Sequence, residues 1–211
     1  MEPTDHNRRA WDEIHRLRAE ALAGERGLPK QVRQALADLG DKRVLHLQCG
    51  TGEATAELAE LGATVTGVDA AGASLETARE RWPSILWVQA DPEALPRELR
   101  RGRFDLVYSG LGSLVAVRDL DGWLRGVAAT LREGGDLLLY EEHPVALVVD
   151  GLMHWRESYF DPGSRRLGQI VTSAARNGLA VRALEEYPAR DGWRRHDARV
   201  PGTFLLYAQR A

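Results

Sequence analysis

Val44-Leu45-His46-Leu47-Gln48-Cys49-Gly50-Thr51-Gly52-Glu53 joins an apolar run to a glycine-bearing turn, and a helical pattern follows at once. Val44, Leu45 and Leu47 suit a strand buried on both faces. Gly50 and Gly52 can take backbone angles closed to residues with a Cβ, and they let a ligand approach the main chain. Glu53 to Leu61 then places Ala54, Leu58 and Leu61 on one face of a helix. A strand, a glycine turn and a helix start together make a site for a nucleotide-like ligand.

The chain around this stretch alternates strands and helices with short connections. Expected strands are Arg43–Gln48, Ala63–Val68, Ile85–Gln89, Phe104–Ser109 and Leu137–Glu141. Helices are expected over Ala73–Trp82, Pro92–Leu99 and from about Leu120 to Leu131, with a turn at Gly134-Gly135. Buried runs separated by amphipathic helices predict a parallel sheet covered on both faces, an α/β doubly wound fold. Upstream, residues 4 to 24 read as a helix carrying Trp11, Ile14, Leu17, Ala21 and Leu22, and a second helix starts at Leu28-Pro29 and stops at Gly40. After Pro144 the rhythm is lost over residues 145–165, then returns as a helix near Leu167–Arg176 and strands near Leu179–Tyr187 and Thr203–Gln209. Two final strands without a helix between them predict an antiparallel hairpin at the sheet edge.

The 211 residues are enough for one well-buried α/β domain, expected to run over 1–211. A net charge of -3 gives no general attraction to nucleic acid or to an anionic membrane. No apolar stretch approaches the ~20 residues of a membrane span, and the polar N-terminus does not resemble a secretory signal, so a cytoplasmic protein is expected. The single Cys49 has no partner for an intramolecular disulfide, and the six histidines show no ligand spacing, so no metal is expected.

Cys49-Gly50-Thr51-Gly52 resembles the second half of the first motif of the class I S-adenosylmethionine-dependent methyltransferases of small-molecule type. In that motif an apolar strand ends in an acid and G-x-G-x-G follows. Here Gln48 stands at the first glycine and His46 at the acid. The resemblance covers residues 42–144 with landmarks and continues more loosely to the C-terminus. It implies a Rossmann-like sheet of seven strands in the order 3-2-1-4-5-7-6, strand 7 antiparallel. It also implies N-terminal helices (1–40) over the cofactor, with Trp11 as a wall; plain packing elements are the other reading of them.

Asp69 closes the second strand about 20 residues past the glycine turn, the place of an acid that accepts ribose hydroxyls; a helix cap is the plainer reading. The resemblance gives Asp91 the adenine amine, with Ala90 and Gln89 lining its slot, and Asp91 can equally cap the next turn. Ser109 and Gly110 end the fourth strand where the methionyl part of the cofactor is expected. Gln48, Cys49, Gly50, Gly52, Asp69, Ala70, Ala90, Asp91, Ser109 and Gly110 therefore form the expected cofactor site. His143 is the candidate general base, while Glu142, Trp155 and Tyr159 with Trp11 are candidates for the substrate pocket.

The expected function is transfer of a methyl group from S-adenosyl-L-methionine to a small molecule, leaving S-adenosyl-L-homocysteine, by a monomer or homodimer. The insertion at 145–165 is expected to shape the acceptor pocket. Two other readings stay open: a methyltransferase-like protein that binds the cofactor without transfer, and an NAD-dependent oxidoreductase, for which Thr55 stands where a third glycine is needed.

Overall fold

The computed structural model describes residues 27–36, 39–149, 154–161, 165–189 and 198–211. The expected helix over 4–24, with Trp11, lies outside the described residues. Seven strands form one sheet: β1 (Arg43–Leu47), β2 (Thr64–Asp69), β3 (Leu86–Gln89), β4 (Phe104–Ser109), β5 (Leu131–Glu142), β6 (Leu179–Pro188) and β7 (Pro201–Arg210). Their order is β3-β2-β1-β4-β5-β7-β6. The first five are parallel, and β7 runs antiparallel between β5 and β6. The terminal hairpin is therefore present.

Alternation along the strands loads both faces. Leu45 and Leu47, Val107, Leu137 and Leu139, and Phe204 and Leu206 pack into one core beneath α5 (Leu120–Thr130) and α7 (Leu167–Arg176). Val44, Leu106, Tyr108, Leu138, Tyr140 and Leu205 point the other way, against α1 (Lys30–Ala35) and Leu58 of α2 (Glu53–Glu60). Leu75 and Ala78 of α3 (Gly72–Arg81) pack on Trp87 and Cys49 beside that second layer. Each fully buried Leu or Phe contributes about 1.5–3 kcal/mol of transfer free energy, so a sheet loaded on both faces resists sliding in register.

Three expectations are corrected. No helix forms over Pro92–Leu99; the segment makes turns, with the Ala94 and Leu99 N–H groups donating to the Asp91 and Pro96 carbonyls. Pro96 cannot donate in a helix interior, and Leu95 and Leu99 still reach the core from the turns. Gly134-Gly135 is not a turn before the fifth strand but lies inside β5, where the pairing with β4 shifts register and Gly134 takes φ +68°. The segment after Pro144 begins with a short helix, α6 (Pro144–Val148), and another, α4 (Ser113–Ala116), follows β4. No helix among the described residues is long and apolar enough to cross a membrane.

Candidate active site

The glycine turn leaves β1 in the left-handed region: Gln48 has φ +57°, Gly50 +55° and Gly52 +90°. Such an angle is uncommon for a residue with a Cβ, and Gln48 adopts it with its amide anchored, Nε2 donating to the Ser113 carbonyl at 2.7 Å. Its Oε1 is buried with no hydrogen-bond partner. The two glycines serve different ends. A Cβ on Gly52 would lie 2.6 Å from Cη2 of Trp87, whereas one on Gly50 would meet nothing within 4 Å. Gly52 is required by packing, and Gly50 faces open space.

Asp69 ties this turn to the end of β2. Its Oδ2 accepts the Gly50 N–H and its Oδ1 the Ala71 N–H, each at 2.8 Å. A carboxylate oxygen has a second lone pair, so both hydrogen bonds can coexist with donors from a diol. Ala70 next to it is exposed, and Ala90 is half-buried with its N–H on the Asp69 carbonyl at 3.0 Å. Asp91 is exposed, and its Oδ1 accepts the Glu93 N–H at 2.8 Å, so it closes the turn that replaces the expected helix.

Across the rim, Ser109 pairs with Leu47 in the β1–β4 register and is fully buried, with its hydroxyl unpartnered. Gly110 is half-buried, and a Cβ there would lie 2.8 Å from the Tyr108 hydroxyl oxygen. Cys49 is buried, and burial, with the Asp69 charge, pushes its thiol up to about 12. It is a packing residue in the turn, not a nucleophile.

Glu141 is a residue the sequence reading passed over. Buried at 4% exposure, its carboxylate accepts the Gly112 N–H at 2.6 Å, the Leu114 N–H at 2.9 Å, the Glu142 N–H at 2.9 Å and the Ser113 hydroxyl at 3.1 Å. Burial pushes this carboxyl up, and the backbone N–H groups hold it down. The end of β5 thus fixes the start of α4, whose Ser113 carbonyl holds Gln48. One signal was available: an acid continuing the apolar run Leu137-Leu138-Leu139-Tyr140 without a break.

His143 is also buried. Its Nδ1 accepts the Val145 N–H at 3.2 Å and so caps α6, and its Nε2 lies 2.9 Å from Oε1 of Glu186 without hydrogen-bond alignment. Burial pushes the imidazole down, against the Glu186 charge. Nδ1 is committed to the backbone and Nε2 faces a carboxylate, which leaves no ring nitrogen turned to an acceptor. Glu142 is half-buried beside it. Trp155 is 62% exposed and bridges Val149 in a single antiparallel pair. The Tyr159 hydroxyl accepts the Leu167 N–H at 3.1 Å, placing the ring at the start of α7.

His46, where the motif carries an acid, is buried in β1. Its Nδ1 lies 2.7 Å from the Thr55 hydroxyl of α2, and its ring is 4.8 Å from that of Tyr108. Burial pushes it down to about 3, so the strand end carries no charge at neutral pH.

The rim joins a strand, a glycine turn and a helix start at the edge of an α/β sheet closed by an antiparallel strand. A methyltransferase domain family matches residues 44–135. An uncharacterized methyltransferase of Synechocystis is 34% identical over 131 residues, covering 62% of this chain and 61% of its own length. A ubiquinone biosynthesis O-methyltransferase of Methylocella silvestris is 28% identical over 194 residues, covering 82% and 73%. The crystal structure of an S-adenosylmethionine-dependent methyltransferase from Mesorhizobium loti superposes with a TM-score of 0.67 at 26% identity, covering 84% of this chain and 95% of that one. The match to the Synechocystis relative thus spans about three fifths of that protein. In sheet order, rim and sequence, the chain is similar to class I S-adenosylmethionine-dependent methyltransferases.

Proposed function

We propose that the chain transfers a methyl group from S-adenosyl-L-methionine to a small-molecule acceptor. The observation that carries this reading is the Asp69 carboxylate bound to the Gly50 N–H at the edge of an open glycine turn. Asp69 would hold the ribose diol, Gly50 would admit the adenosine, and Ala90 and Asp91 would border the adenine. The methionyl end is a zwitterion, needing an acceptor for its ammonium and a donor for its carboxylate. The two unpartnered buried atoms at the rim, Gln48 Oε1 and Ser109 Oγ, are one of each. Gln48 keeps the left-handed backbone of the glycine it replaces, so the departure from the motif leaves the turn's path intact.

The cofactor supplies a methyl group already activated on a sulfonium. What the chain must provide is alignment of acceptor, methyl carbon and sulfur, together with a rim that holds its shape. The Glu141–Ser113–Gln48 connection supplies the rigidity. With His143 engaged at both nitrogens, its part in this reading is to place the segment after β5 rather than to remove a proton. A small acceptor accords with the relative named for ubiquinone biosynthesis. In the same reading residues 1–211 act as one domain, with 145–165 lining the acceptor side.

Calorimetric titration with S-adenosyl-L-homocysteine, with NADH as control, is expected to give micromolar binding of the former alone. In Asp69→Asn, affinity is expected to fall about 10- to 100-fold, the effect of a hydrogen bond to a charged group. Wild-type affinity in that variant would remove the site assignment, and NADH binding in its place would move the reading to an oxidoreductase.

A further inference from the structure

A groove of about 880 Å³ lies between the start of α5, the residues Tyr159, Phe160, Arg165 and Arg166, and one side of α7, and none of the glycine-turn residues lines it. Four guanidinium groups line it, those of Arg118, Arg165, Arg166 and Arg176, together with the rings of Tyr159 and Phe160. Such a density of cations normally comes with acids to neutralise it. Among the described residues, no carboxylate lies within ion-pair distance of any of the four. Two acids, Asp119 and Asp121, line the groove as well, so the arginines outnumber the lining carboxylates two to one, and the hydrogen bonds of these acids go to groups other than the arginines' guanidinium nitrogens. Glu93 accepts the Arg118 and Asp119 N–H groups at 3.1 and 2.6 Å, Asp119 caps α5 through the Gly122 N–H at 3.0 Å, and Asp121 accepts from Ser173 and Asn177.

Arg165 makes the imbalance sharpest. It is half-buried, its guanidinium donates to the Arg118 carbonyl at a long 3.4 Å, and burial pushes its pKa down against the charges of Glu93 and Asp119. A cation withdrawn from water without a paired carboxylate is a cost that a bound anion would offset. Phe160, 71% exposed, lies in the same groove with the Arg166 guanidinium 5.7 Å from its ring centre. The groove therefore offers forked donors for oxygens and a flat apolar wall beside them.

We propose that this groove binds an organic anion, a molecule carrying a carboxylate or phosphate on an apolar body. Purified full chain is titrated with 1-naphthoate and 1-naphthyl phosphate, and with neutral 1-naphthamide and inorganic phosphate as controls. Binding is followed by calorimetry and by the Nε–Hε signals of ¹⁵N-labelled arginine. Both naphthyl anions are expected to bind at least about tenfold more tightly than the amide, and the stronger of them identifies the acidic group preferred. Affinity is expected to fall with added salt. Arg165→Gln and, separately, Arg118→Gln are expected to weaken anion binding about tenfold or more, and Arg165→Lys to restore it only in part, since an ammonium lacks the fork. Affinity for S-adenosyl-L-homocysteine stays unchanged in all three, which also reports that they are folded. Equal binding of anions and amide, no binding of either anion, or Gln variants that bind as wild type would overturn the proposal. The anion-binding outcomes are independent of whether the methyl-transfer reading holds, and should the chain not bind S-adenosyl-L-homocysteine, the urea-unfolding midpoint reports that the variants are folded.

Discussion

Glu141→Ala is expected to destabilise the protein by about 4 kcal/mol or more, since four donors that now share one buried carboxylate would lose their acceptor. A buried N–H or O–H left without a partner costs roughly 1–3 kcal/mol, and only part of the sum is recovered if water enters the space left by the side chain. Urea unfolding measures the loss directly. Thermal unfolding should show a midpoint lower by about 10 °C for a chain of this size. Glu141→Gln keeps the volume and one acceptor oxygen but turns an NH₂ toward backbone donors, so about half the loss is expected there. The effect should also reach the ligand. Ser113 holds Gln48 through its carbonyl, and Ser113 is itself held by Glu141, so affinity for S-adenosyl-L-homocysteine should fall in the Gln variant although Glu141 faces no ligand. A loss under 1 kcal/mol in the Ala variant would mean that the loop finds other acceptors, and the rim would then not depend on this carboxylate.

Glu141 also marks where sequence reading stops. The parallel strands were legible because β1, β2, β4 and the later part of β5 are buried runs closed by polar or glycine residues, and burial on both faces leaves a strong compositional trace. The closing hairpin was legible because no helical period separates its strands. Asp69 could be singled out from its place at a strand end, but its bond to the Gly50 N–H, which ties the strand to the glycine turn, could not. Glu141 could not be found in that way. An acid at the end of a strand looks the same whether it faces water or three donors contributed by a loop 27–29 residues earlier. The turns over Pro92–Leu99 were misread for a related reason: the apolar spacing of Leu95 and Leu99 fits a helix, and their burial is real, but the chain delivers it through turns around Pro96. His143 was read by its chemistry alone, and what commits it is a contact with Glu186 on a strand that the sequence places more than 40 residues away. Local pattern locates elements and the residues that close the strands. The contacts that hold those ends in place are long-range, and they leave no periodic signal.

His46 carries the second large effect, and here pH is the variable. The imidazole titrates near 6.5 when exposed in the unfolded chain and near 3 in the fold, where burial excludes the charged form. Between those values the unfolded state binds one proton more than the native state, so stability rises with pH across the window and falls on acidification. The loss is up to about 1.4 kcal/mol per pH unit, or about 2.3 kcal/mol between pH 6.5 and 4.5, since the first unit starts from a half-protonated unfolded state. Other groups titrate as well, so the comparison that isolates His46 is with His46→Gln, which can still reach the Thr55 hydroxyl and has no proton to gain. At pH 6.5 the variant is expected to be the less stable of the two, having lost the ring contact with Tyr108. By pH 4.5 the gap should close or reverse, because only wild type is taxed by protonation. Denaturant unfolding at pH 4.5, 5.5 and 6.5 gives both slopes, and equal slopes would show that His46 is not excluded from protonation in the fold. The comparison bears on the rim too. An acid at this position would bring a charge to the end of β1, whereas a neutral imidazole brings none, so any charge met by the methionyl ammonium must come from elsewhere. In this chain the neutral strand end stands beside Gln48, whose buried Oε1 has no hydrogen-bond partner and, in the proposed reading, would offer the ammonium an uncharged acceptor.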